Sequence, residues 1–252
     1  MLSRSIALLL PAWLLAAAPA GEGGFFVSPV QVILATRGMS KGSTGVVTLR
    51  NQTHETARFQ LSVWAWAQAN GGAPQLTPTQ DVVFSPPLLI LAPKEERKIR
   101  LAPQISCGPV ESTYRLLIEE LRPPRKEGDF PSPVQMLTTM SLPVFLPPPR
   151  PVVSGRIESL AMRSHQWTFQ LKNTGNVHLQ VSEFSIRGLG PSGGPVLQRN
   201  VPGGYVLAGT AGLFHVEFTR EECASLRSLL VDLKPPVVAG SQAFDVPPNA
   251  CQ

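Results

Sequence analysis

The stretch Pro133–Pro151, PVQMLTTMSLPVFLPPPRP, constrains the fold more than any other part of the chain. Its first half alternates as a β-strand does. One face would carry Val134, Met136, Thr138, Met140 and Leu142. The second half runs into Pro147–Pro149, where the backbone has no N–H groups to offer a neighbouring strand and φ is held near about −65°. A strand that ends in a rigid corner in mid-chain predicts the last strand of one domain and the hinge to a second.

The rest of the chain has the composition of a β-protein. Its 252 residues allow one large or two ordinary domains, and its 26 prolines and 21 glycines argue against a mostly helical fold. Arg58–Gln68, RFQLSVWAWAQ, alternates strictly, and short apolar runs between turn residues recur along the chain. About seven such runs precede the proline corner, which is the number in an immunoglobulin-like sandwich. The pattern continues on a smaller scale beyond it.

Four local features limit the strand assignments. Pro29, inside the apolar run Phe25–Leu34, places that run at a sheet edge or border. Ser85-Pro86-Pro87 is a place where a cis bond can occur. Gly188–Gly194 is predicted to be a loop and Tyr205–Gly209 a strand. Thr219–Leu230 leaves two interpretations open: a short helix begun by a capping box of Thr219 and Glu222, or a turn that leads into a strand at Leu229–Leu233.

The N-terminus has the pattern of a secretory signal peptide. MLSRSIALLLPAWLLAAAPA combines one arginine, an apolar core and a small-x-small ending, so cleavage is expected after about Ala20. A membrane anchor is the weaker interpretation because the apolar run is short and contains Pro11. The mature chain is predicted to be exported and soluble, with no membrane insertion and a net charge of about +4. No dense basic stripe is present, so nucleic acid is not an expected partner.

The residues that could carry chemistry are sparse. The chain has three cysteines, of which Cys223 and Cys251 form a possible disulfide that would leave Cys107 unpaired, but the sequence does not decide the pairing. The four histidines match no metal-binding spacing, and no catalytic motif is visible, so no metal, cofactor or enzymatic activity is predicted. Trp64 and Trp66 share a face, for which packing is favoured over a carbohydrate platform.

Several segments, taken in order, resemble a known family. They are VSPVQVIL, VTLRN, LSVWAWAQANG, ESTYRLLIEEL, VQMLTTMSLPVFLPP and LKNTGNVHLQV. Together they resemble the periplasmic chaperones of the chaperone–usher pathway, most closely the archaic-type branch. The resemblance implies a signal peptide at 1–20 and two immunoglobulin-like β-sandwich domains, 21–149 and 150–252, in an L-shaped arrangement with a cleft between them.

The resemblance also implies a function. Such a chaperone binds and caps pilus or fimbrial subunits in the periplasm by donor-strand complementation, a form of β-augmentation, and delivers them to an outer-membrane usher without a cofactor. The donor strand would present Val134, Met136, Thr138 and Met140 to the subunit. The first strand would lie beside the subunit through Val30, Gln31 and Val32. Without the resemblance, packing in the first domain's own core would be the expected role of the four donor residues.

The sequence departs from the family at the site that binds the subunit's C-terminal carboxylate. The resemblance places the usual arginine at Gln31 and the usual lysine at Pro143, and neither side chain carries a charge. Arg115 is the substitute candidate because a guanidinium binds a carboxylate bidentately. The alternative for Arg115 is an ion pair with Glu119 or Glu120.

A second class of function is an exported immunoglobulin-like adhesion or ligand-binding module of a surface structure. A pilus subunit would lack its last strand and carry an N-terminal extension, and the sequence has neither feature. The chaperone interpretation is therefore favoured.

Overall fold

The computed structural model describes residues 24–34, 43–69, 71–122, 136–163, 165–233, 240–247 and 250–251. The predicted signal peptide and Val134 lie outside these residues. Within them the chain forms strands β1 to β17 and one short helix, α1. No helix in the described part of the chain is long and apolar enough to span a bilayer.

The first half of the chain forms ten strands. They are β1 (Phe25–Ser28), β2 (Val32–Ile33), β3 (Gly45–Asn51), β4 (Ala57–Gln68), β5 (Pro74–Pro78), β6 (Val82–Ser85), β7 (Leu88–Leu91), β8 (Glu96–Pro103), β9 (Ser112–Leu121) and β10 (Thr139–Leu146). One sheet has the order β1-β3-β8-β6, and the other has the order β2-β10-β9-β4-β5, with β7 also paired to β4. Their inner faces meet in a core that includes Phe59, Leu116 and Val144. This half is therefore a β-sandwich.

The N-terminal apolar run is split between the two sheets. The sequence predicts one strand over Phe25–Leu34, but β1 pairs with β3 in the first sheet and β2 pairs with β10 in the second. The chain changes sheets at Pro29, which follows a cis peptide bond. A second cis bond joins Ser85 to Pro86, in the proline pair where one was expected.

The second half forms a second, separate sandwich. Its elements are β11 (Gly155–Arg163), β12 (Gln166–Asn173), β13 (Leu179–Leu189), β14 (Pro195–Val206), β15 (Ala211–Glu217), α1 (Arg220–Ser225), β16 (Ser228–Leu233) and β17 (Gly240–Asp245). The sheets have the orders β11-β12-β15 and β14-β13-β16-β17. Between them lies a core with Trp167, Phe169 and Phe184. The all-β prediction of two sandwiches is confirmed.

Both interpretations of Thr219–Leu230 prove correct in part. Thr219 is the N-cap of α1, and its hydroxyl and the carboxylate of Glu222 satisfy each other's backbone N–H groups in a capping box. The chain then enters β16 at Ser228, one residue earlier than the predicted strand. Cys223 of α1 is buried and forms a disulfide with Cys251, which fixes the end of the chain to the helix.

Several observed strands differ from the sequence predictions. β5 and β11 were not predicted, and the predicted strand Tyr205–Gly209 contributes only its first two residues to β14. The alternation within β14 is interrupted by Pro202, Gly203 and Gly204, so the local sequence pattern does not predict this strand. Pairing with β13 along its length stabilises it. β10 begins later than the alternation of Pro133–Pro151 indicated and continues through Pro143 to Leu146.

Each sandwich contains the same buried asparagine arrangement. The Asn51 amide donates to the carbonyl oxygens of Glu55, Leu91 and Ala92, at 2.7, 3.1 and 3.2 Å. In the second sandwich the Asn173 amide donates to the carbonyl oxygens of Val177 and Val206, at 2.8 and 2.9 Å. Each asparagine ties the turn that follows its strand to a distant part of the chain. Asn51 is also the first residue of the sequon Asn51-Gln52-Thr53, but its side chain is completely buried.

Replacing Asn51 by alanine is expected to lower the free energy of unfolding by about 2–4 kcal/mol, because buried carbonyl groups lose their donor. Chemical denaturation of the purified protein measures this difference. Gln52→Ala is the matched control, since the neighbouring Gln52 is half-buried and bonds through its backbone, donating to the Gly24 carbonyl and accepting from Lys94. Equal losses in the two variants would show that the amide of Asn51 does not hold the turn.

Candidate functional site

One edge of β10 is only partly covered by another strand among the described residues. On one side β10 pairs with β9 along all of Thr139–Leu146. On the other side β2 covers only Val144 and Phe145. The stretch Thr139–Leu142 therefore presents an open sheet edge, which is a template for pairing with another chain.

The hydrogen-bond pattern identifies the free groups on this edge. Glu120 N–H donates to the carbonyl of Thr138 at 2.9 Å, so the even-numbered residues of β10 are the ones that exchange hydrogen bonds with β9. The odd-numbered residues point the other way, as the bond from Leu34 N–H to the Phe145 carbonyl at 2.7 Å also indicates. Thr139 and Ser141 thus direct both N–H and C=O to the open edge. Pro143 lies on the same side, so its missing N–H costs β10 no bond to β9.

The predicted donor residues become more exposed from Met140 back towards Met136. Leu142 is buried, Met140 is half-buried and packs against the first core, and Thr138 is exposed. Met136 is 91% exposed. The core-packing alternative therefore fits Met140 but not Met136 or Thr138. Val134, the remaining donor candidate, lies outside the described residues.

The first-strand residues lie beside this edge. Val30 is 71% exposed, Gln31 is half-buried, and Val32 is a core residue paired with Val144 of β10. Of these three residues, Val30 offers the most apolar surface to a partner.

Arg115 lies in the same row of the sheet as Pro143. It is paired with Pro143 on one side and with Trp64 on the other, and its side chain points away from the core, since its neighbours Tyr114 and Leu116 are buried in the core. Gln31 precedes Val32, the partner of Val144, so it stands at the edge of this row. The Arg115 guanidinium therefore lies one strand away from Pro143, the position that the resemblance gives to the lysine.

The Arg115 guanidinium is stacked rather than ion-paired. Its Cζ lies 3.7 Å from the centre of the Trp66 ring, a cation–π contact. Burial lowers the pKa of Arg115 from its ordinary value, which still leaves the group charged at neutral pH. No described carboxylate forms an ion pair with it, so the alternative with Glu119 or Glu120 is not formed; the Glu120 carboxylate instead accepts from Thr138 N–H at 2.9 Å.

Trp66 belongs to an aromatic cluster between the two sandwiches. It is 4% exposed and packs with Phe145 of the first half and with Tyr205 and Leu207 of the second. The packing role predicted for Trp66 is confirmed. Its Nε1 is buried and has no hydrogen-bond partner in the described part of the molecule. Trp64 is half-buried and donates to the Ser62 hydroxyl at 2.9 Å.

Polar contacts surround this cluster and join the two halves. Gln68 donates to the Tyr205 carbonyl at 2.8 Å and accepts from Leu207 N–H at 2.8 Å. The Glu111 carboxylate accepts from both the backbone N–H and Nδ1 of His178, at 2.8 and 2.7 Å. The His178 ring stacks on Phe145 with centroids 3.8 Å apart. The two halves are thus held together by part-buried hydrogen bonds that the sequence did not reveal, because the two residues of each hydrogen bond are more than sixty positions apart.

The comparisons with known proteins agree with this geometry. Residues 25–151 match the family model described as "Pili and flagellar-assembly chaperone, PapD N-terminal domain". The match covers half of the chain, which therefore belongs to this family of pilus and fimbrial assembly chaperones, as the resemblance predicted. No curated protein matches at a significant level.

Solved chaperone structures share the fold. The class 5 fimbriae chaperone CfaA is 14% identical with a TM-score of 0.55, over 89% of this chain and 100% of that one. The CsuC–CsuE chaperone–tip subunit complex of the archaic Csu pili of Acinetobacter baumannii gives 17% identity and a TM-score of 0.55, over 88% and 98%. The Pseudomonas aeruginosa chaperone CupB2 gives 12% and 0.54, over 88% and 100%. The predicted fold, two immunoglobulin-like domains in an L-shape with a cleft between them, is confirmed.

Proposed function

We propose that this protein captures fimbrial subunits by lending them the open edge of β10. The observation that carries the proposal is the pair of free backbone positions, Thr139 and Ser141, continuous with the exposed side chain of Met136. A subunit that lacks its last strand has unpaired backbone groups along an apolar groove. A donated strand satisfies those groups and fills the groove with alternate side chains.

The proposed donor face matches this task in its chemistry. Met136 offers a flexible, polarisable side chain that adapts to varied pockets, and its full burial is worth about 2 kcal/mol. Thr138 follows on the same face, and Val134 extends it. Val30, exposed beside β10, adds apolar surface at the first strand. The protein would act by binding alone and then hand the subunit to an outer-membrane usher.

The site of action that fits this function is the periplasm. The family is periplasmic, and the first twenty residues have the pattern of a signal peptide cleaved after about Ala20. The domain boundary proposed with it lies at Pro147–Pro149, between the end of β10 and the start of β11.

The function is tested by co-expressing the chain with a fimbrial subunit from the same gene cluster. The subunit is expected to accumulate in the periplasm and to co-purify in a one-to-one complex. A subunit that accumulates equally well without the chaperone, and does not co-purify with it, would contradict the proposal.

Arg115 is the group proposed to hold the subunit's C-terminal carboxylate. Arg115 is charged and half-buried, and it has no carboxylate partner among the described residues. It lies in the same row as Pro143, and the two positions where the family usually has cations, Gln31 and Pro143, carry no charge here. A guanidinium in a partly desolvated site binds a carboxylate through charge-assisted hydrogen bonds.

Arg115→Ala is expected to weaken the complex with a subunit by about 10–100-fold, since a hydrogen bond to a charged group contributes about 1.5–3 kcal/mol. Surface plasmon resonance with the purified subunit measures the dissociation constant. Arg100→Ala is the control, because Arg100 is exposed on the other sheet, on β8. Equal effects of the two substitutions would remove Arg115 from the site.

A further inference from the structure

The second sandwich contributes one aromatic side chain to the surroundings of Arg115. Tyr205 is the second-last residue of β14. Its ring centre lies 5.7 Å from that of Trp66, in an edge-to-face arrangement, and 5.8 Å from the ring centre of Phe145. The Arg115 Cζ lies 5.8 Å from the Tyr205 ring centre. The guanidinium therefore has a tryptophan of its own domain and a tyrosine of the other domain as neighbours.

Tyr205 is held in this place by the first domain at two points. Its carbonyl accepts from the Gln68 amide, and its hydroxyl donates to Gln31 Oε1 at 3.4 Å. Burial raises the pKa of Tyr205, so the phenol stays neutral at neutral pH and does not act as a counter-ion for Arg115. Its effect on the guanidinium comes from the ring and not from a charge.

An arginine side chain needs such support to bind a carboxylate well. Its long flexible stem loses about 2 kcal/mol of rotamer freedom when it is held in one geometry. Two ring contacts pre-order the guanidinium, each worth about 0.5–2 kcal/mol depending on desolvation, while leaving its edge N–H groups free to donate. This packing has a free-energy cost, because the buried Nε1 of Trp66 has no hydrogen-bond partner among the described residues.

We propose that Tyr205 is a positioning residue for Arg115, so that the carboxylate anchor is assembled by both domains together. The inference rests on the proposed role of Arg115 as the anchor. It adds that recognition of the chain end depends on a side chain of the second domain, and that docking of the two domains and carboxylate binding favour each other. A purely structural Tyr205 would stabilise the interface without affecting the choice of ligand.

The test compares two probe peptides of about ten residues that alternate valine and threonine, one with a free C-terminal carboxylate and one with a C-terminal amide. The quantity measured is the ratio of their dissociation constants for each full-length variant, by fluorescence anisotropy. The wild type is expected to prefer the free acid by about tenfold. Tyr205→Leu is expected to reduce that preference to about twofold or less, with the affinity for the amide nearly unchanged.

Two further variants separate positioning from packing. Tyr205→Phe keeps the ring and is expected to retain most of the preference for the acid. Leu207→Ala removes an aliphatic side chain of the same interdomain cluster, which has no ring to stack on the guanidinium, and it is expected to leave the ratio unchanged.

The outcomes distinguish this inference from the role of Arg115. If the wild type prefers the acid and Tyr205→Leu keeps that preference, Tyr205 does not position the anchor, although Arg115 can still be the anchor. If Leu207→Ala lowers the ratio as much as Tyr205→Leu, the effect belongs to the interface in general and the inference is wrong. If the wild type binds acid and amide equally, the anchor itself fails, and the inference fails with it.

Discussion

Met136→Asp is expected to abolish capture of a fimbrial subunit while leaving the free chaperone folded. Met136 is 91% exposed, so a charge at this position costs the free protein almost nothing. In the complex the same carboxylate would be buried in an apolar groove without a partner, at a cost of several kcal/mol. Subunit recovered by affinity purification after co-expression measures the effect, and the thermal midpoint of the purified variant checks its fold.

The control for this substitution is Leu160→Asp. Leu160 is an apolar side chain on β11 of the second domain that is 49% exposed, away from the open edge of β10. The Leu160→Asp substitution should leave subunit capture unchanged. If Met136→Asp still captures and stabilises subunits as well as Leu160→Asp does, Met136 is not part of the donated strand.

Replacing both Cys223 and Cys251 by serine is expected to give the largest loss of stability. The disulfide closes a loop with a sequence separation of 28 residues, for which the loss of chain entropy in the unfolded state corresponds to about 3–4 kcal/mol. In a domain of this size the melting temperature would fall by roughly 10–20 °C. Differential scanning calorimetry, performed with and without reducing agent, measures the change.

The remaining cysteine supplies the control for this prediction. Cys107 is a free, half-buried cysteine that packs against the core of the first domain. Cys107→Ser should leave the response to reductant as it is in the wild type. If the double serine variant melts at the temperature of the oxidised wild type, the disulfide does not stabilise the second domain.

The sequence predicted the elements whose pattern is local. Strict alternation located β4 and β9, and the capping box of Thr219 located α1, because these signals depend only on neighbouring residues. It did not predict the change of sheet at Pro29 or the strand β14. Both are decided by which distant strand is available for pairing, and short-range patterns contain no information on this.

The candidate site was predictable only on the first domain. The alternation in Pro133–Pro151 places Met136 on one face with the other donor candidates, but only the resemblance predicted that this face binds a partner rather than the core. Arg115 was selected as the candidate anchor because the family's two usual positions are occupied by Gln31 and Pro143. Tyr205 was missed because it lies ninety residues further along the chain and reaches Arg115 only when the domains are docked. No sequence signal distinguishes it from a core tyrosine.

The open edge of β10 is tested most directly by amide hydrogen exchange, residue by residue, in the free protein and in a complex with a fimbrial subunit. In the free protein the amides of Met140 and Leu142 should exchange slowly because they bond to β9, and those of Thr139 and Ser141 should exchange rapidly because they face the open edge. In the complex the amides of Thr139 and Ser141 should become protected, while those of Met140 and Leu142 change little. If Thr139 and Ser141 still exchange rapidly in a stable complex, the subunit does not pair with this strand and the central proposal is wrong.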